Sequence, residues 1–386
     1  MRLESKRMNA RERFVRTMHF QSVDRLPLVE LGLWEQTIDR WQTEGLPPDV
    51  LKRGTSLIYG NDFFGLDRFE TLDIRLGMIP EFQQEVLAED ERYMTVRRPD
   101  GRITKALKEG MVRGQRQCMD QYLDFPVKCR ADWQALRWRY DPESPERHLQ
   151  PWEVTVESLR TRDYPLQVPA LGATKMNGFY SSFRNWMGTE MACTVFHDEP
   201  AWAHEMCDFI ADMIITTLSK AMKCIDFDVF QWHEDFAFRS GPLVSPGIVE
   251  TFLAPRYRRV NDFVRSHGTD VIFLDSDGDP RVLIPLLLEA GINGLWPLEA
   301  AANQDPMALR KEYGHDLLLW GGIDKRALAK GKKAIEEELL AKIPPLLEDG
   351  GYIPTVDHSV PPDVSYRDFQ FYLDLKRRII EGRFGA

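Results

Sequence analysis

Asp270-Val-Ile-Phe-Leu-Asp275-Ser-Asp277-Gly-Asp279-Pro280 is the stretch on which the fold is decided. An apolar run of strand length and β-branched composition ends abruptly in Asp, Gly and Pro. A helix-period segment then begins near Arg281. The same grammar recurs on both sides. Leu166–Leu171, Val229–His233, Asp270–Leu274, Gly294–Pro297, Leu317–Trp320 and Tyr352–Val356 read as short strands. Between them lie helical segments, two with legible starts: Asp198-Glu-Pro200 before 201–224, and Ser245-Pro246 before 247–267. In each a capping side chain stands beside a Pro suited to the first turn. Strands alternating with helices mean parallel strands joined by crossovers. Adding Arg25–Glu30 and one strand of the second segment brings the count to eight, which predicts an α/β fold of the (β/α)8 TIM barrel type. A doubly wound open sheet is the alternative. No G-x-G-x-x-G or phosphate-loop motif favours it.

The first third is less regular. A helix over 10–19 precedes Arg25–Glu30, and two alternating runs flank Pro99-Asp-Gly101, a hairpin signal. The reading is one barrel domain over 1–386, with an N-terminal helical and β-hairpin elaboration and a hairpin-containing insertion over about 78–110.

Composition excludes several classes. With 50 Lys and Arg against 60 Asp and Glu, the formal charge of −10 argues against a nucleic-acid partner, which needs a basic face. The longest apolar run, Val282 to Leu288, is broken by Pro285 and is too short to span a bilayer. The opening residues lack a secretory h-region, so a cytoplasmic location is expected. Five scattered cysteines without a CxxC suit reduced thiols and not a disulfide framework.

In a barrel, groups that do chemistry project from the carboxyl ends of strands into one mouth. Polar residues follow the apolar runs repeatedly: His233-Glu234-Asp235, Asp275-x-Asp277, Glu299 after Leu295-Trp296, Gly321-Gly322-Ile-Asp324, and Asp357-His358. Period-two spacing at a strand end aims Asp275 and Asp277 the same way, and His358 arrives from another strand end. Two carboxylates and an imidazole would suit zinc, manganese or ferrous iron. The same residues also read as turn and N-cap residues, or as a metal-free acid–base set. Glu234 and Asp235 are candidate catalytic groups, with His358. His233, Trp296, Glu299, Gly322 and Asp324 are candidate substrate contacts, as are Tyr180 and Arg184 in the run Asn177–Gly188. His233 and Glu234 cannot both face one way from a regular strand.

Several segments together resemble the uroporphyrinogen decarboxylase superfamily. They are Arg11-Glu-Arg-Phe-Val-Arg with Val23-Asp-Arg-Leu-Pro27, Ser240-Gly-Pro-Leu-Val-Ser-Pro246, and Ala290-Gly-Ile-Asn-Gly-Leu-Trp-Pro-Leu-Glu299. Leu319-Trp-Gly-Gly-Ile-Asp324 and Gly350-Gly-Tyr-Ile with His358-Ser-Val-Pro-Pro-Asp363 complete the set. The resemblance implies a (β/α)8 barrel with its site at the carboxyl mouth. The decarboxylase branch carries an Arg-Gln-Ala-Gly-Arg segment that holds substrate carboxylates. Here Glu30-Leu-Gly-Leu-Trp-Glu-Gln36 stands in its place, and a polycarboxylate would meet no positive clamp.

The other branch, zinc-dependent methyltransferases working with methylcorrinoid proteins, uses His-x-Cys-Gly and a later Cys-Gly. By position, Asp275-Ser-Asp277-Gly278 falls on the first and His358-Ser359 on the second. The resemblance therefore implies a divergent methyltransferase with a divalent metal, zinc foremost, at Asp275, Asp277 and His358. Its donor would be an O- or N-methylated small molecule, and a corrinoid on a separate protein would receive the methyl group, because no Asp-x-His-x-x-Gly corrinoid motif occurs here. A metal-assisted lyase, decarboxylase or hydrolase on a small oxygenated substrate is the alternative, and a non-catalytic binding barrel a third. The superfamily also allows a homodimer, for which the residues carry no independent signal.

Overall fold

The computed structural model describes residues 8–51, 58, 60–112, 115–116, 120–148, 150–169 and 178–383. Seven parallel strands form its central sheet. In spatial order they are β1 (Glu70–Thr71), β2 (Leu166–Val168), β3 (Val229–His233), β4 (Ile272–Asp275), β5 (Gly294–Leu298), β6 (Leu318–Gly321) and β7 (Tyr352–Ile353). Spatial order follows chain order, as successive right-handed crossovers through helices require. The sequence places six of these strands within a few residues. Of the expected strand Leu166–Leu171, residues 170 and 171 lie outside the described residues.

Of the expected strand Arg25–Glu30, Leu26 onward is buried, but among the described residues it belongs to no ladder. Pro27 has no N–H to give one. The segment is tied to both ends of the sheet by other means. Beside β1, Asp67 N donates to Leu28 O at 2.8 Å and Leu28 N to Asp67 Oδ2 at 2.9 Å. Beyond β7, Val356 N donates to Glu30 Oε2 at 3.0 Å, and an isolated parallel bridge joins Leu33 to Val360. Glu30 is held in turn by Lys376 Nζ at 2.6 Å and by the Tyr372 hydroxyl, both on the C-terminal helix Tyr366–Ile380.

Helix starts divide the expectations. Ser245 caps as read, its side chain accepting from Ile248 N at 3.2 Å. The chain then passes through a π turn at Val249–Leu253 into the helix Ala254–Ser266. A widened turn just before Pro255 accommodates the N–H that proline lacks. Asp198, by contrast, ends the preceding helix Phe179–Asp198, and Pro200–Met222 begins without a side-chain cap.

Two apolar clusters explain why the polar residues gather at one end. The larger lies between the sheet and its helices. The smaller fills the inner side of the sheet with Phe69, Val229, Phe273, Trp296, Trp320 and Ile353, and Phe14 and Met18 of the helix Ala10–Met18 join it. Phe14 stands edge-on to Phe69 with ring centroids 5.6 Å apart. The interior is thus filled from the amino end, and the carboxyl ends of the strands remain for polar groups.

The hairpin around Pro99-Asp-Gly101 is present, with Tyr93–Arg97 antiparallel to Ile103–Leu107 and Gly101 at φ 86°. It belongs to a four-stranded antiparallel sheet that also takes in Glu85–Glu89, inside the span read from sequence, and Gln121–Asp124, beyond it.

Candidate functional site

Alternation along β3 fixes the site. The Trp232 indole donates to Asn261 Oδ1 at 2.9 Å and packs on Phe179 and Tyr257, so it faces the helices. Gln231 and His233 therefore face the interior. Across the ladder, Asp275 is the register partner of His233 on one side and of Trp296 on the other. A level row His233, Asp275, Trp296 results at the carboxyl end of three adjacent strands.

His233 Nε2 lies 3.9 Å from Asp275 Oδ2, and His233 Nδ1 lies 4.0 Å from Asp235 Oδ1. His358 Nε2 lies 3.9 Å from Asp277 Oδ1. These separations are longer than hydrogen bonds. His233 Nδ1 is a buried atom without a hydrogen-bond partner. Burial pushes the Asp275 carboxyl well above the usual carboxylate range, and the charges of Asp277, Asp235 and Glu299 add to it. Asp277 is raised by burial and by Glu299 and Asp235, with His358 opposing, although half of its side chain reaches solvent.

Period-two spacing stops governing at Asp275. Ser276 N makes the last ladder bond, to Trp296 O at 2.8 Å, and Gly278 then turns the chain at φ 79°. Asp277 consequently faces His358. Among the described residues, no group of three or more His, Cys, Asp or Glu side chains could hold a metal ion. The expected ligands Asp275, Asp277 and His358 fall into two carboxylate–imidazole pairs, His233 with Asp275 and Asp277 with His358.

Glu234 also departs from its expected role. One residue past His233, it faces away from the mouth, is fully buried, and accepts from Ser181 N at 2.9 Å, from Phe179 N at 2.5 Å and from the Tyr257 hydroxyl. It closes the amino end of the helix Phe179–Asp198, a position the helix dipole favours for an anion. Gly178 makes this approach possible, since a Cβ there would lie 2.0 Å from His233 O. Burial pushes the Glu234 carboxyl up to about 7 against those three hydrogen bonds.

Other expected substrate contacts are occupied structurally. Tyr180 is buried, its hydroxyl 3.3 Å from Cys193 Sγ. Arg184 pairs with Asp235 at 3.3 Å. Gly322 packs on Pro306, and its carbonyl accepts from Lys342 Nζ at 2.6 Å. Asp324 caps the short helix Lys325–Leu328 and pairs with Arg326 at 2.8 Å. Glu299 does reach the mouth: its Oε2 accepts from Gly278 N at 3.0 Å.

Lys325 and Gln304 also belong to the mouth, although no motif in the sequence marks them. Lys325 Nζ lies 3.5 Å from Glu299 Oε1 and 3.4 Å from the buried Asp357 Oδ1, while Gln304 Nε2 donates to Gly278 O at 2.9 Å. The N–H and the carbonyl of Gly278 are thereby both held, which fixes the loop that carries Asp277. The polar run after Gly321-Gly322 is the one signal that could have led to Lys325; nothing in the sequence points to Gln304.

The profile of the family described as uroporphyrinogen decarboxylase (URO-D) matches residues 124–379. The chain belongs to that family. Among solved structures it is similar to a methyltransferase from Methanosarcina mazei, with a TM-score of 0.55 and 11% sequence identity over 96% of this chain and 99% of that one. At that identity the likeness shows the fold alone. No curated protein sequence matches the chain. Among the described residues, no helix is long and apolar enough to cross a membrane.

Proposed function

We propose that the chain is a URO-D-family methyltransferase that takes a methyl group from an O- or N-methylated small molecule, on an eight-staved barrel whose eighth stave is the extended segment 26–33. The observation that carries the reading is the pair of carboxylate–imidazole contacts, His233 with Asp275 and Asp277 with His358, at the carboxyl ends of the strands. Family membership and the methyltransferase from Methanosarcina mazei of similar fold support it. A corrinoid on a separate protein would supply the nucleophile that accepts the methyl group.

The residues of this chain then have a defined task. When a methyl group leaves an oxygen or nitrogen, the heteroatom must not depart with an uncompensated negative charge. A carboxyl raised by burial, as at Asp275, can hold the proton that an oxygen leaving group takes up. A nitrogen that already carries positive charge needs no such proton, and the carboxylates then bind and orient it.

The test is methyl transfer to reduced free cobalamin, followed by its absorbance, with panels of methoxylated and N-methylated donors. The expected result is methylcobalamin formation with one donor class, lost in Asp275→Asn: at least about 100-fold for an oxygen donor, the range general acid–base groups contribute, and through weaker binding for a cationic nitrogen donor. Release of carbon dioxide or a hydrolysis product from these compounds, without methyl transfer, would overturn it in favour of a lyase or hydrolase.

A further inference from the structure

The charges at the mouth are not balanced among themselves. Arg184 and Lys325 stand there already committed, the first to Asp235 at 3.3 Å and the second to Glu299 and Asp357 at 3.5 and 3.4 Å. Asp275 and Asp277 have only imidazoles within ion-pairing distance among the described residues, each at 3.9 Å. Asp275 is 9% exposed, and its carboxylate has no hydrogen-bond donor among the described residues. A buried carboxylate without donors is costly unless something else supplies the positive charge.

Two independent features of the same interior describe that partner. Gln231, two residues below His233 on the inward side of β3, is 3% exposed and makes no side-chain hydrogen bond among the described residues. Its amide lies below the row on the inward side of β3. Trp296 is the register partner of Asp275 and brings an indole to the row. Carboxylates beside an aromatic ring form the environment that attracts alkylammonium groups, whose diffuse charge is weakly hydrated and whose methyl groups need apolar contact. An anionic donor such as a methoxylated carboxylate would meet the acidic row with both nearby cations already engaged.

We propose that the methyl donor is an alkylammonium cation, seated against Asp275 and Asp277 with the Trp296 indole as its apolar wall. The proposal rests on the methyltransferase reading and narrows its substrate class. The chemistry balances without an added proton. The methyl carbon–nitrogen bond breaks, its electron pair remains on nitrogen, and a neutral amine leaves; the acceptor's electron pair forms the new bond to carbon.

The test is calorimetric binding of choline to the full chain, against its neutral carbon isostere 3,3-dimethylbutan-1-ol. Choline should bind at least about ten-fold more tightly, with affinity falling as salt rises, and Asp275→Asn and Asp277→Asn should each remove at least ten-fold. Equal affinity for the isostere, or no choline binding by the wild type, overturns the proposal. The wild-type comparison stands even if a variant folds poorly, which melting curves will report. Because binding is read without turnover, the two readings fail separately. Choline binding without methyl transfer sinks the reaction, and methyl transfer from a neutral methoxy compound without choline binding sinks the cation.

Discussion

His233 and Asp275 are register partners on adjacent parallel strands, and their side chains meet on the inner face with Nε2 and Oδ2 3.9 Å apart. The contact is too long to offset what burial costs the carboxylate, so Asp275 is a group kept at the expense of stability. Its carboxyl is raised above the ordinary value of 3.8. In that case the folded state binds more protons than the unfolded one, and stability falls as pH rises from about 4. Asp275→Asn should therefore melt at a higher temperature than wild type near neutral pH, with the gain shrinking toward pH 4, while methyl transfer is lost. Thermal melts at several pH values decide it: a variant that melts lower at neutral pH would show that the carboxylate is a stabilising partner.

Glu234 gives the opposite pairing of burial with use. Its carboxyl is pushed up to about 7 from 4.5, so ionising it in the folded protein costs on the order of 3 kcal/mol across that interval. Stability that is present below pH 4.5 is lost by pH 7. Glu234→Gln should flatten this slope. Glu234→Ala should be destabilised by about 1–3 kcal/mol near pH 4.5, because Phe179 N, Ser181 N and the Tyr257 hydroxyl lose their acceptor, and the loss should shrink toward pH 7 as the wild type takes on its ionisation cost. Urea unfolding across pH 4.5–8 measures both, and parallel curves for wild type and Glu234→Gln would remove the titration argument.

How far the sequence can be read follows from which residues obey a local period. β3 to β6 are legible because apolar runs of strand length end at His233, Asp275, Leu298 and Gly321, where Glu, Ser or Gly follows. The same alternation forces His233 and Glu234 apart, although it does not say which one faces the mouth. That is decided by the helix Phe179–Asp198, whose free amide groups need Glu234. Asp277 reads in sequence as a companion of Asp275, but the period ends where Gly278 takes a left-handed turn and long-range bonds from Glu299 and Gln304 take over. Arg25–Glu30 has strand composition but, with Pro27, no ladder; its partners Asp67 and Lys376 are distant in sequence.

Lys376 and Glu30 form a fully buried ion pair at 2.6 Å that joins the segment 26–33 to the C-terminal helix. Breaking one side should be far worse than removing both. Lys376→Met leaves Glu30 charged and buried, and should cost about 3–5 kcal/mol. Adding Glu30→Leu to it should restore part of that loss despite the second substitution. Equilibrium urea unfolding of the single and double variants gives the coupling. Additive losses would mean that the pair is not the tie between these elements.

Gly278 tests whether the position of Asp277 matters apart from its charge. At φ 79° an alanine is strained by its backbone alone, by about 1–2 kcal/mol. Its Cβ would also lie 2.6 Å from Ala237 O, so the loop between Asp277 and Asp279 must move. Gly268 provides the control, with φ 90° and nothing within 4 Å of a Cβ. Gly268→Ala should show only the backbone cost and keep choline affinity and methyl transfer. Gly278→Ala should lose more stability and, in addition, lower choline affinity by several-fold, because the two carboxylates no longer meet one cation. If both variants bind choline as the wild type does, the loop geometry is not part of recognition, and the affinity must come from Asp275 and Trp296 alone.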